Sequence, residues 1–227
     1  SAQFFSSLAD NALFVAAVQL LRSGGSPEWQ QAALVPMFAL FYVVLAPFVG
    51  AFADSLPKGK VMLYSNSIKI IGCLLMLFGT HPLMSYAIVG LGAAAYSPAK
   101  YGILTELLPA SQLVKANGWI EGLTIASIIL GVLLGGQLVS PAVSSHLLSF
   151  DIPLLETGID TAPEVAISLL IFVYALAAWF NTRIPLTGVP MRALPRNLVS
   201  LLPDFWHCNT RLWRDRLGQI SLATTTL

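Results

Sequence analysis

Charged side chains lie inside segments of this chain that are otherwise apolar enough to cross a membrane. A charge at bilayer depth costs roughly 3 kcal/mol or more, so such residues face a bundle interior or a hydrated cavity and usually pair. We therefore expect these residues to meet around a polar pathway through a membrane protein. They carry both signs of charge and are Asp10, Lys69, Lys100 and Glu121.

The composition agrees with a chain whose solvent is lipid. Of the 227 residues, 56% are hydrophobic and only 10% are charged, whereas soluble domains carry roughly 25% charged residues. Cys73 and Cys208 are far apart in sequence, and we expect neither a disulfide nor a metal site from them. No cofactor and no nucleic-acid partner are expected, although a coupling cation stays open.

Length and apolarity predict an all-α, polytopic membrane protein with six spans in a bundle over residues 1–182. A cytoplasmic amphipathic linker is expected over 183–217, and residues 218–227 begin a seventh span. About 20 residues are needed to cross the hydrocarbon layer, but residues 218–227 provide only ten. We therefore expect the chain to be part of a longer protein. The six predicted spans are 2–21, 31–53, 60–79, 83–107, 114–139 and 165–181.

The loops differ in basic residues, and this difference predicts the orientation. Basic loops stay in the cytoplasm, so the N-terminus, the loops after spans two and four, and the linker are expected there. The linker either lies in the membrane interface as a short helix or is a basic tether that fixes topology. The loops on the predicted outer side contain one basic residue, Arg22. The basic residues on the predicted cytoplasmic side are Lys58, Lys60, Lys115, Arg183, Arg192, Arg196, Arg211, Arg214 and Arg216.

The intramembrane charges have polar neighbours in sequence or one helical turn away, which is typical of residues that share a face. Each has two interpretations, because it either contacts a substrate or forms a structural ion pair between helices. In span five, by contrast, the small-residue steps at Ser127, Gly131 and Gly135 predict packing. The candidate site residues are Asp10, Asn11, Asn66, Lys69, Tyr96, Lys100, Tyr101, Asn117 and Glu121.

Residues 90–102 form the most unusual stretch of the chain. Their small side chains permit close helix packing, and Pro98 removes one backbone donor, so we expect a broken helix. Tyr96 and Lys100 are one turn apart and can point into one pocket. A broken, charged helix at this depth is tolerated only where it faces protein or water, so a binding site is predicted here. A packing kink, with Lys100 near the interface, is the alternative.

The predicted loop between spans two and three has a pattern of glycines and charges. It contains Gly50, Asp54, Lys58, Gly59 and Lys60. A glycine here lets two helices approach, and the aspartate can bind a helix N-terminus or an arginine. This pattern resembles the signature loop of the major facilitator superfamily.

Three further segments resemble the bacterial lysophospholipid transporter family of that superfamily. They are Phe5-x-x-Leu-Ala-Asp-Asn-Ala-Leu13, Ala93-Ala-Ala-Tyr-Ser-Pro-Ala-Lys-Tyr-Gly-Ile-Leu104 and Leu113-Val-Lys-Ala-Asn-Gly118. The resemblance implies the N-terminal half of a twelve-helix flippase that carries lysophospholipids, such as lysophosphatidylethanolamine, across the bacterial inner membrane. An acyltransferase, fused or separate, would then restore the second acyl chain at the cytoplasmic leaflet.

The resemblance also implies roles for the candidate residues in alternating access. The loop around Asp54 would steady the cytoplasm-closed state. The head group would occupy a polar cavity and the acyl tail would lie on an apolar wall. The expected contacts are Lys69 or Lys100 with the phosphate, Asp10 or Glu121 with the amine, and Phe14, Leu40 and Phe41 with the tail.

Three other functions fit parts of the sequence. A proton-coupled exporter of amphipathic small molecules would use Asp10 and Glu121 as proton carriers. A membrane acyltransferase needs a His-x4-Asp pair, and only His146 and Asp151 have that spacing, in a loop on the predicted outer side. We interpret this match as coincidence and expect no enzymatic activity. The third alternative is a membrane scaffold that transports nothing. The buried charges argue against it, because a scaffold would not need them.

Overall fold

The computed structural model describes residues 2–148, 161–195 and 197–220, and these residues form helices and connecting turns without any strand. This architecture confirms the all-α prediction. A short 3-10 turn, Leu198–Ser200, precedes the last helix. The helices are α1 (Ala2–Ser23), α2 (Glu28–Val44), α3 (Ala46–Ser55), α4 (Lys58–Leu77), α5 (Pro82–Leu107), α6 (Ala110–Leu138), α7 (Pro141–Leu148), α8 (Ala162–Thr182) and α9 (Leu201–Arg214).

Prolines mark where several of these helices begin. Pro57 and Pro109 directly precede α4 and α6, and Pro82 is the first residue of α5. Proline suits a helix start because the first turn does not use its missing N–H. Helix α8 begins with a capping box in which Thr161 and Glu164 bond each other's backbone N–H groups.

The predicted second span is two helices rather than one. Helices α2 and α3 are bent by 65° at a break at Leu45. Pro47 cannot donate a backbone hydrogen bond to Val43, and its ring disfavours helical geometry in the preceding residue. The span predicted over 31–53 therefore consists of two helices, and apolar composition alone does not reveal this break.

In the described part of the chain, α1, α4, α6 and α8 are each long and apolar enough to cross a membrane, and the bent α2–α3 pair makes a fifth candidate. Helix α5 is not among them, although it has 26 residues and coincides with the predicted fourth span. Half of its residues are buried in the bundle. Its small and polar residues therefore meet protein rather than lipid.

Helix α5 also runs through Pro98 without a break, so the predicted interruption is wrong. Packing explains the continuity, because α5 lies between α2 and α4 and is tightly enclosed. A Cβ atom added at Gly90 would lie 2.2 Å from the carbonyl oxygen of Phe38, and one at Gly92 would lie 2.6 Å from that of Ser65. Such close approach of three helices leaves the segment around Pro98 little room to leave the helical path.

Helix α1 packs on both α6 and α8, and α4 also packs on α8. The main apolar core therefore lies along α1, whose buried face consists of alanines and leucines apart from Ser6. Helix α9 packs on α3. The predicted seventh span falls mostly outside the described residues, as does Asp151 of the His146–Asp151 spacing. The predicted domain boundaries at 182 and 217 stay predictions.

Candidate functional site

A buried ion pair joins α1 to α4. The Nζ atom of Lys69 lies 2.7 Å from Oδ2 of Asp10 and donates a second hydrogen bond, 2.9 Å long, to Oγ of Ser6. Ser6 in turn donates to Oδ1 of Asn66 at 2.8 Å. From α8, the hydroxyl of Tyr174 donates to the other carboxylate oxygen of Asp10 at 2.7 Å. The site therefore combines a neutralised charge pair with hydrogen bonds from three helices.

Two aromatic rings complete the surroundings of the Lys69 ammonium. Its Nζ lies 5.3 Å from the ring centroid of Tyr96 and 5.6 Å from that of Tyr174, both within the range of cation–π attraction. The hydroxyl of Tyr96 and the amide nitrogen of Asn66 are buried without a protein partner. Because buried polar groups are normally hydrogen-bonded, these two groups can serve as donors to a molecule or water in the site.

A second ion pair, between α5 and α6, is looser. Nζ of Lys100 lies 3.8 Å from Oε1 of Glu121 and 4.5 Å from the ring centroid of Tyr101. The Tyr101 hydroxyl donates to the same carboxylate oxygen at 2.7 Å. Lys100 is buried whereas half of the Glu121 side chain is exposed. A desolvated ammonium with a distant, solvated partner is well suited to bind an anion.

Two adjoining cavities meet at this charged centre. The smaller, of about 140 Å³, is polar and contains both Lys69 and Lys100 in its wall. The larger, of about 490 Å³, is mostly apolar. They share Ser7, Asp10 and Tyr42. The larger cavity is lined by Ser7, Asp10, Asn11, Phe14, Val35, Phe38, Tyr42, Tyr86, Ile128 and Val132.

The structure brings together most of the predicted site residues. The polar cavity is lined by Asp10, Lys69, Tyr96 and Lys100, and Asn66 reaches it through Ser6. Glu121 and Tyr101 join the cluster through their contacts with Lys100. Opposite charges from α1, α4, α5 and α6 thus lie around the polar cavity or in contact with its wall, and the assignment of these residues to a functional site stays a prediction.

Other predicted residues lie elsewhere. Asn11 donates to the Ser7 carbonyl within α1 and contributes only to the apolar cavity. Asn117 is exposed on α6 and lines neither cavity. Of the predicted apolar wall, Phe14 lines the larger cavity but Leu40 and Phe41 do not, because they lie on a different face of α2.

Tyr174 is a site residue that the sequence did not single out. It is fully buried and bonds Asp10 from a position 164 residues away in sequence. The available signal was one hydroxyl in the middle of a strongly apolar helix. That signal is weak, because tyrosine also occurs in apolar cores without any polar role.

The segment from Gly50 to Lys60, which resembles the superfamily's signature loop, forms a separate charged cluster at one end of the bundle. The Lys58 ammonium pairs with the Asp54 carboxylate, donates to the Ala53 carbonyl at 2.9 Å and lies 3.7 Å from Oε1 of Glu106. The hydroxyl of Thr187 donates to Glu106 at 2.6 Å. Lys58 and Glu106 thus connect the start of α4 to the end of α5 and to the segment that follows α8.

Two details of this loop differ from the predictions. Asp54 pairs with a lysine rather than an arginine or a helix N-terminus, and its carbonyl accepts from the Arg192 backbone at 3.0 Å. Gly59, not Gly50, is the glycine at a close approach, because a Cβ atom there would lie 3.1 Å from Cβ of Ile184. Gly50 is exposed with no atom near its would-be Cβ, and Lys60 is also exposed.

A helical bundle with candidate membrane spans and with buried ion pairs beside a polar and an apolar cavity has the features that a membrane transporter requires. Comparison with known proteins agrees, because residues 1–185 match the Major Facilitator Superfamily and the chain belongs to this superfamily.

Similarity to individual proteins is also high. The chain is 41% identical over 226 residues to the lysophospholipid transporter LplT of Yersinia enterocolitica serotype O:8, an alignment that covers 100% of this chain and 51% of that protein. Identity to the lysophospholipid transporter LplT of Escherichia coli O7:K1 is also 41%, with 52% of that protein covered. The chain thus spans about half the length of the curated relatives it matches.

Proposed function

We propose that this chain forms the N-terminal half of a transporter that moves lysophospholipids across the bacterial inner membrane to the cytoplasmic leaflet. The observation that carries the proposal is the junction of two cavities, one with two buried lysines and the other apolar. A lysophospholipid has a phosphate-containing head and one acyl tail. Similarity to the lysophospholipid transporters named above supports the same assignment.

In this proposal the phosphate binds in the polar cavity. Lys100 is the better anchor, because its partner Glu121 is distant and half-exposed, whereas Lys69 is already neutralised by Asp10. The unpartnered Tyr96 hydroxyl supplies a further donor. For a head group that carries an amine, Glu121 provides a carboxylate within reach of the same cavity.

The acyl tail occupies the adjoining apolar cavity. Phe14, Phe38 and Tyr86 form its aromatic wall, and the Tyr86 ring contacts both phenylalanines, with centroids 6.3 Å from Phe14 and 5.1 Å from Phe38. A single chain fits this arrangement because the wall offers apolar surface without further buried charge. Alternating access would require the half of the transporter beyond this chain to rock against α1–α8.

The finer features of this function also belong to the proposal. The transporter itself performs no chemistry, and an acyltransferase, fused or separate, consumes the delivered lysophospholipid at the cytoplasmic leaflet. The end of the bundle that carries Lys58 and the linker faces the cytoplasm, because it bears most of the basic loop residues.

The test is uptake of labelled lysophosphatidylethanolamine by cells that express the complete transporter. We expect Lys100→Ala to reduce uptake at least about tenfold, as expected for loss of a buried charge-assisted contact, while the protein stays in the membrane at normal levels. Lys115→Ala is the matched control, because Lys115 is an exposed lysine near the start of α6 that lines neither cavity.

Normal uptake by Lys100→Ala would remove this residue from the site. A competition assay separates the proposal from the exporter alternative. A lysophospholipid in excess should block its own uptake, whereas transport of an amphipathic drug that lysophospholipid does not inhibit would favour the exporter.

A further inference from the structure

Helix α9 has two chemically distinct faces. At 100° per residue, its large apolar side chains fall on one side of the helix, and a polar strip that contains His207, Thr210, Arg211 and Arg214 falls on the other. The apolar side consists of Leu201, Leu202, Phe205, Trp206, Leu212 and Trp213.

Only one edge of the apolar side is covered by protein. Leu201 and Phe205 line a groove against α3 together with Pro47. Along the opposite edge, Trp206 and Trp213 are 70% and 61% exposed, and Leu202 is also exposed. Two exposed tryptophans on one edge form an apolar strip that no described part of the chain covers.

Arginines accompany this strip. Arg211, Arg214 and Arg216 are exposed at the C-terminal end of α9 and just beyond it. Two acids lie close in sequence, but the Asp215 carboxylate accepts from the Gly218 backbone at 2.9 Å, and Asp204 lines the groove against α3. The exposed surface of α9 is therefore apolar along the tryptophan edge, whereas its arginines lie on the polar side near the C-terminal end and just beyond it.

The position of α9 places this edge at a membrane boundary. Helix α9 packs on α3, at the end of the bundle where α5 and α8 end and α4 begins. At the same end, the Arg183 guanidinium lies 4.8 Å from the ring of Trp179, whose side chain is half-exposed. Tryptophan and arginine side by side at helix ends are typical of the interface between hydrocarbon and head groups.

We propose that α9 binds the membrane surface and selects anionic phospholipids. Leu202, Trp206 and Trp213 enter the boundary between head groups and acyl chains. The three arginines contact lipid phosphates, and each basic residue near an anionic surface strengthens association roughly fivefold. The proposal does not depend on which molecule the transporter carries.

The experiment uses this chain in nanodiscs, with Trp206 and Trp213 as the reporters after Trp29, Trp119 and Trp179 are changed to phenylalanine. Two nanodisc preparations have the same mixture of phosphatidylcholine and phosphatidylglycerol, but bromine, a tryptophan quencher, is on the acyl chains of one lipid or the other. We expect quenching to be at least about twofold stronger when the bromine is on phosphatidylglycerol.

Combined substitution Arg211→Gln, Arg214→Gln and Arg216→Gln should abolish the preference but leave quenching by both lipids, which shows that α9 is still folded on the surface. The control Arg22→Gln, at the opposite end of the bundle, should leave the preference intact. If neither brominated lipid quenched the fluorescence, the two tryptophans would face water or another protein segment rather than lipid. That result would overturn the proposal. If the protein that keeps all three arginines were quenched equally by the two brominated lipids, the proposed selection of anionic lipid would be overturned.

Discussion

At the scale of single residues, Asp10 and Lys69 neutralise each other in a setting where either charge alone would be costly. Removing one partner of a buried pair costs roughly 3–5 kcal/mol because the other charge stays desolvated. We predict that Asp10→Ala strongly lowers the unfolding temperature of the purified protein in detergent. The double substitution Asp10→Asn with Lys69→Met should recover most of that loss, since no buried charge remains. An unchanged unfolding temperature in Asp10→Ala would mean that the pair contributes nothing to stability.

Two buried tyrosines near this pair provide a sharper comparison. The Tyr174 hydroxyl donates to Asp10, whereas the Tyr96 hydroxyl has no protein partner. Tyr174→Phe should therefore destabilise the protein by about 1.5–3 kcal/mol, the usual range for a hydrogen bond to a charged group. Tyr96→Phe should leave stability nearly unchanged but weaken lysophospholipid uptake.

Thermal unfolding and uptake assays measure the two effects separately. If Tyr96→Phe destabilised the protein as much as Tyr174→Phe, an unrecognised protein partner would bind that hydroxyl. If it changed neither property, Tyr96 would not contact the substrate.

At the scale of helices, close packing of α6 on α1 depends on glycines at one face. A Cβ atom added at Gly135 would lie 2.7 Å from the carbonyl oxygen of Ala12, whereas one at Gly136 meets nothing within 4 Å. We predict that Gly135→Ala destabilises the protein by about 1–3 kcal/mol through overpacking. Gly136→Ala should be neutral or stabilising by up to about 1 kcal/mol, because alanine favours a helix. Equal unfolding temperatures for the two neighbouring variants would contradict this account of the interface.

The helices show which aspects of the fold the sequence could predict. Length and apolarity located α1, α4, α5, α6 and α8 to within a few residues of the observed ends. The break at Leu45 and the continuity through Pro98 were not predictable, because a proline bends or spares a helix according to what packs around it. Pro98 lies within a helix that packs between α2 and α4, whereas Pro47 lies at the start of α3, next to the break at Leu45.

At the scale of the whole molecule, the candidate site could be predicted only as a set of residues and not as pairs. Intramembrane charge identified Asp10, Lys69, Lys100 and Glu121, since such residues are costly unless they are buried together. Which acid joins which lysine depends on helix arrangement, and sequence spacing carries no information on it. Tyr174 shows the same limit, because a neutral side chain from a distant helix completes the site.

The orientation of the protein in the membrane can be tested by labelling a single cysteine. Cys208 on α9 is exposed, whereas Cys73 on α4 is buried, so a thiol reagent should label the former. Because the linker is predicted to be cytoplasmic, a membrane-impermeant maleimide should label the chain in inverted membrane vesicles but not in intact spheroplasts. Cys208→Ser should remove the labelling in this chain. Labelling in intact spheroplasts would reverse the orientation, and the basic loops around Lys58 and the linker would then face outward.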